Sequence, residues 1–240
     1  MSSAGHGKSL RGNTMEQRWI ETFQMWSKTE EYQGRIKEAQ NVIKTALSRY
    51  NNPYLSYSGG KDSTVMLHLV LQQKADIPVW HWDYGEQLMP REIEKEVVIN
   101  ANEIGAKKII VCKRKGENAR DDYVSGYRQF FRTLKKLKEK YRWDLGFVGV
   151  RQEESYRRKR LYKSFFRDNI CYPLLKLSWK DIWACIVSNK LPYASVYDTY
   201  SELVGWDKSR LVTFFDNEFE SVVHLDSVLM PEFRNVRNRE

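Results

Sequence analysis

The chain has 240 residues, enough to bury one substantial core. Hydrophobic residues make up 41% and aromatics 13%, a composition that excludes intrinsic disorder. Fourteen Lys or Arg against four Asp or Glu fall between Arg128 and Arg167, so the net charge of +9 is concentrated there.

Such a basic segment fits either an anionic partner (a nucleotide, an oxyanion or a nucleic-acid backbone) or a solvated helix face. No apolar run approaches the roughly 18 residues of a membrane span, and residues 1–13 lack the apolar stretch of a secretory signal. A cytoplasmic protein without a membrane partner is the expectation. Cys112, Cys171 and Cys185 lie far apart, suiting neither a disulfide framework nor a zinc site. Each reads as a small buried residue.

In chain order, residues 1–13 read as a mobile tail. Thr14 is placed to cap a helix, with Gln17 at the third position and Trp19, Phe23 and Trp26 at helical spacing. A second helix is expected from Glu31 to Tyr50, closed by Asn51-Asn52-Pro53. The pattern then alternates. Strands are expected at Tyr54–Tyr57, Ile77–Trp82, Lys108–Cys112, Leu145–Val150 and Cys171–Leu174. Helices are expected at Ser63–Gln73, Pro90–Ile104, Asp122–Tyr141 and Trp179–Ser188. This alternation predicts an α/β fold: a Rossmann-like, doubly wound parallel sheet of about five strands, with N-terminal helices and a helical C-terminal extension. Ligands in such sheets bind at the carboxyl ends of the strands, near the switch point.

Ser58-Gly59-Gly60-Lys61-Asp62-Ser63 lies where the first strand gives way to a helix. Paired glycines let backbone amides approach an anion, and the helix start adds further donors. Lys61 supplies positive charge, and Ser58 and Ser63 supply hydroxyls. Asp62 either shapes the loop or helps to place Mg²⁺. A bare Gly-Gly turn is the bland alternative. Gly5-His6-Gly7-Lys8-Ser9 imitates the end of a Walker A motif, but no strand precedes it and Ser2 occupies the place of the first glycine.

SGGKDS after a strand resembles the PP-loop of the adenine nucleotide alpha-hydrolase superfamily. More narrowly, it resembles the branch of phosphoadenylylsulfate reductase and the small subunit of ATP sulfurylase. Trp82-Asp83-Tyr84-Gly85 and Pro90-Arg91-Glu92 resemble that branch's Asp-Thr-Gly and Pro-Glu-Thr segments, with Tyr84 and Arg91 as departures. Asp83 either contacts Mg²⁺ or the nucleotide, or caps a turn. Gly149-Val150-Arg151, followed by Arg157 and Arg158, resembles the branch's Gly-hydrophobic-Arg segment, and guanidinium forks there suit phosphate or sulfate. Pro173-Leu174, Trp179-Lys180-Asp181-Ile182-Trp183, Leu191-Pro192-Tyr193 and Tyr197-Asp198 resemble the stretch after the core, so the likeness covers roughly residues 54–198. That span is read as the nucleotide-binding domain, starting with its helices at residue 14, and residues 199–240 as its extension.

The reductases' C-terminal Glu-Cys-Gly-hydrophobic-His segment is missing, since no cysteine follows Asp198. A reductive step then has no thiolate. The resemblance therefore implies an ATP pyrophosphatase or adenylyltransferase that uses ATP and Mg²⁺ and joins AMP to an anionic or carbonyl acceptor. Lys61 and Arg151 are the expected catalytic pair. Ser58 to Ser63 and Asp83 hold the nucleotide, Arg151, Arg157 and Arg158 hold the acceptor, and Asp62 and Asp83 face the metal. Two rival readings stand beside it. One is nucleic-acid modification through the basic run 156–163, with a separate sulfur donor; the other is a silent binding module. Trp206, Phe214, Phe215 and Phe219 pack on the core or on an oligomeric partner.

Overall fold

The computed structural model describes residues 15–85, 89–114 and 123–211. Two helices, α1 (Gln17–Trp26) and α2 (Glu30–Arg49), precede the first strand. α2 starts where the Thr29 hydroxyl accepts the Tyr32 amide, with Glu30 and Glu31 at the positive end of the helix dipole. The Thr14 cap lies outside the described residues, and α1 follows Glu16 with no side-chain cap.

Strands and helices then alternate: β1 (Pro53–Tyr57), α3 (Lys61–Leu71), β2 (Val79–Asp83), α4 (Arg91–Ile104), β3 (Ile109–Lys113), α5 (Tyr123–Tyr141) and β4 (Leu145–Phe147). The sheet has six strands in the order β3-β2-β1-β4-β6-β5, completed by β5 (Phe166–Arg167) and β6 (Ile170–Cys171). Every neighbouring pair is parallel except β5 with β6. The chain steps outward from β1 to β2 and β3, then returns to place β4 on β1's other side. The switch point therefore lies between β1 and β4, where Leu55 sits opposite Phe147.

The expected fold class holds, with differences at the last strands. β4 stops at Phe147 because the chain turns at once, the Val150 amide reaching back to the Val148 carbonyl. β6 ends before Pro173, which has no amide for a ladder, and the Leu175 amide closes a turn on Tyr172. The two-residue β5 was not anticipated. Neither were α6 (Tyr156–Leu161) and α8 (Val196–Val204), whereas α7 (Trp179–Ser188) has the expected bounds.

Alternation along the strands sends side chains to two cores. Leu55, Tyr57, Val79, Leu145 and Phe147 join the main core with residues of α2, α3, α4 and α7. Tyr54, Trp80, Trp82 and Trp143 form the opposite layer, covered by Phe130, Leu134 and Leu137 of α5. The basic helix α5 thus buries an apolar stripe on the sheet.

Candidate active site

The SGGKDS segment straddles the junction of β1 and α3, and α3 begins at Lys61, two residues earlier than expected. Gly59 has φ 79°, and a Cβ there would lie 2.4 Å from a Val97 methyl on α4. Only glycine meets both demands. A Cβ on Gly60 would stand 3.4 Å from the Ser58 hydroxyl and 3.5 Å from that of Tyr197, filling the concave side of the turn. The hydroxyls brace the loop from within. Ser63 Oγ donates to the Gly60 carbonyl at 2.9 Å and accepts the Ser58 amide at 3.3 Å. With that proton committed, Ser58 Oγ is the donor in its 3.1 Å contact with Ser63 Oγ.

Arg151 follows β4 and meets this junction across the switch point. Its Nε donates to Asp62 Oδ1, and its Nη1 to Glu153 at 3.0 Å. Gly149 permits the approach, because a Cβ there would lie 3.3 Å from the Asp62 and Ser63 backbone. Burial alone would raise the Asp62 pKa, but Arg151 and Lys61 outweigh it and hold the carboxyl well below the ordinary range. Lys61 is 1% exposed. Its Nζ donates to the Ser209 carbonyl at 2.7 Å and stands 3.6 Å from Asp62 Oδ2. Burial lowers its pKa to about 8.

Several neighbours of Lys61 escaped the sequence reading. Tyr197 Oη accepts the Lys61 amide at 2.9 Å and the Leu211 amide at 3.0 Å, while Arg210 donates to the Glu154 carbonyl. Residues 205–211 thus lie as a strap against the start of α3. Trp183 anchors it, donating to the Trp206 carbonyl at 2.9 Å and packing edge-on against that ring. Tyr197 stood in a segment singled out by resemblance, so a signal existed for it. Ser209 and Arg210 lie beyond that segment and carried none.

The remaining expected residues divide. Asp83 ends β2 but does not join the loop. It accepts from both terminal Arg91 guanidinium nitrogens, at 2.9 and 3.0 Å, and from the Gly85 amide at 2.7 Å. The departure at Arg91 is thereby explained, since its charge neutralises Asp83. Arg158 pairs with Glu154 one helical turn away, and Arg157 is exposed. Neither converges on the loop as Arg151 does.

Residues 52–222 match the phosphoadenosine phosphosulfate reductase domain. The chain belongs to that family. It is a member of the PP-loop superfamily, as the loop geometry leads one to expect. Among curated relatives, a sulfate adenylyltransferase subunit 2 of Alkalilimnicola ehrlichii is 28% identical over 144 residues, covering 55% of this chain and 46% of that protein. Its namesake from Methylorubrum extorquens is 24% identical over 242 residues, covering 84% and 75%. The chain spans about half the length of the first of these relatives. Among solved structures, the NMN synthetase of Francisella tularensis superposes with a TM-score of 0.50 at 10% identity, covering 86% of this chain and 91% of that one. That likeness concerns the fold alone.

For this family member the loop fits a polyphosphate: a glycine concavity, hydroxyls, a helix start and two buried cations meet at the switch point. A directly bound Mg²⁺ fits less well. Asp62 and Asp83 are both engaged by guanidinium groups, and no three His, Cys, Asp or Glu side chains converge among the described residues. The metal role expected of these two carboxylates would require each to exchange its guanidinium partner for the ion. Cys171 and Cys185 are buried with thiols pushed up to about 12, which suits packing rather than catalysis.

Proposed function

We propose that the chain is an ATP-dependent adenylyltransferase that cleaves ATP between its α and β phosphates. The observation that carries this reading is the convergence of the SGGKDS junction with Arg151 across the β1–β4 switch point. The loop's glycine concavity and the start of α3 hold the β and γ phosphates, with the serine hydroxyls bracing the turn. Lys61 exchanges the Ser209 carbonyl for a phosphate oxygen, and Arg151 shares its charge between Asp62 and the developing pyrophosphate. An acceptor oxygen forms a bond to the α-phosphorus, the bond to the α–β bridging oxygen breaks, and pyrophosphate leaves. Catalysis on this account is positioning plus charge stabilisation.

The names of the curated relatives support an oxyanion such as sulfate as acceptor, and a further subunit as partner. Magnesium would arrive with the nucleotide. Pyrophosphate release from Mg-ATP, screened over oxyanion acceptors, tests the reading. Lys61→Ala is expected to lose about 3 kcal/mol of transition-state stabilisation, roughly a hundredfold in rate. Undiminished release in that variant would sink the proposal.

One observation favours a second reading. Tyr156 is 80% exposed, and Arg157, Lys159 and Arg160 are exposed beside it, a basic and aromatic surface suited to a nucleic-acid acceptor. A salt titration of DNA and tRNA binding decides between them. Steep weakening with salt supports nucleic acid, and no binding at low salt removes it.

A further inference from the structure

A buried polar chain reaches the loop from behind. His81 faces the main core from β2, opposite Tyr57 in the register, and is 2% exposed. Its Nδ1 lies 2.8 Å from the Tyr57 carbonyl and its Nε2 lies 2.7 Å from Glu94 Oε1 on α4. A carbonyl oxygen can only accept, so Nδ1 carries a proton. The contact with Glu94 holds a second proton, borne by the ring or by the carboxyl. Hydrogen bonds at both ends therefore lock the ring's orientation.

The arrangement costs the fold something. Glu94 is 7% exposed, and its Oε2 has no hydrogen-bond partner among the described residues. An apolar pair would fill the same space without that cost. What the polar pair adds is a fixed point on the Tyr57 carbonyl, the last peptide before Ser58. One turn along α4 from Glu94, Val97 presses on Gly59. Helix α4 thus reaches the loop twice, once by packing and once through His81.

We propose that His81, seated by Glu94, is a positioning residue that holds the Ser58–Gly60 turn in the shape that receives the phosphates. The inference rests on the nucleotide reading of the loop. It follows from the tolerance of such sites, where donors must stay within about 0.5 Å of the productive geometry. Gly59 and Gly60 are the residues in this turn with the most backbone freedom to lose.

The experiment compares His81→Phe and His81→Asn with the parent protein. Amide exchange is followed at Ser58–Ser63 and at α7, alongside the kinetics of pyrophosphate release from Mg-ATP. His81→Phe removes both hydrogen bonds, and loop exchange is expected to rise at least about tenfold while α7 stays protected. kcat is expected to fall about a hundredfold with the ATP KM changed less than about threefold, as for donors mis-aimed in the transition state. His81→Asn keeps a donor near the Nδ1 position and is expected to recover most of both losses. Should His81→Phe fail to fold, Glu94→Ala carries the same loop-selective expectation. Unchanged loop exchange, acceleration spread equally over α7, or no recovery in His81→Asn would each overturn the role of His81. A parent protein that releases no pyrophosphate would overturn the functional reading instead, while loop exchange still decides on His81.

Discussion

Lys61 holds its ammonium against a carbonyl oxygen in a site that is 1% exposed, and burial draws its pKa down to about 8. Below pH 8 both the folded and unfolded chains carry this proton, and folding bears the whole cost of the buried charge. Between pH 8 and about 10.5 the folded lysine releases a proton that the unfolded chain keeps, so stability rises with pH in that window. Relative to Lys61→Met, the parent protein is expected to gain up to about 3 kcal/mol from pH 8 to 10.5, read from urea midpoints. A difference that does not vary with pH would show that the lysine is not titrating there. That a lysine stands in the loop was legible in six consecutive residues. Its seat was not, because Ser209 lies 148 residues further on.

Among the elements, α7 shows how local and distant demands coincide. Ser178 and Asp181 form a capping box at its start, and residues 181–186 are buried in one run. Those local signals made its bounds legible. Asp181 also accepts from the Trp26 indole at 2.8 Å and from Arg35 Nη2 at 3.1 Å, tying α1 and α2 to α7 while remaining wholly buried. Asp181→Ala should therefore cost about 1–3 kcal/mol, since it strands the Trp26 indole and removes the cap while Arg35 keeps Glu31. Thermal unfolding measures this; a loss below about 1 kcal/mol would mean that water replaces the carboxylate readily. The elements that escaped sequence reading are short. β5 has two residues and α6 has six, too few to show a period. They exist because β6 offers β5 an edge and Ser155 offers α6 a cap.

Over the whole molecule, the site depends on segments that meet only in the tertiary fold. The strap of residues 205–211 reaches the start of α3 through Tyr197, whose hydroxyl accepts amides from Lys61 and Leu211. Tyr197→Phe orphans both amides and should loosen the strap. Tryptic cleavage after Lys208 and Arg210, followed by mass spectrometry, is expected to accelerate about tenfold, matching roughly 1–2 kcal/mol of local stability. An unchanged cleavage rate would show that the contacts of Trp206, Ser209 and Arg210 hold the segment without the Tyr197 hydroxyl.

By itself the sequence determined the fold class, the order of strands and helices through β4, and the glycine turn after the first strand. Those features rest on periodicity, paired glycines and caps, interactions confined to a few neighbouring residues. The tertiary structure alone decided which charges face one another. It brought Arg151 to Asp62, turned Arg91 onto Asp83, left Arg157 in solvent and laid Ser209 on Lys61. Charge pairing depends on distance through space, and only the folded sheet, with its switch between β1 and β4, sets that distance.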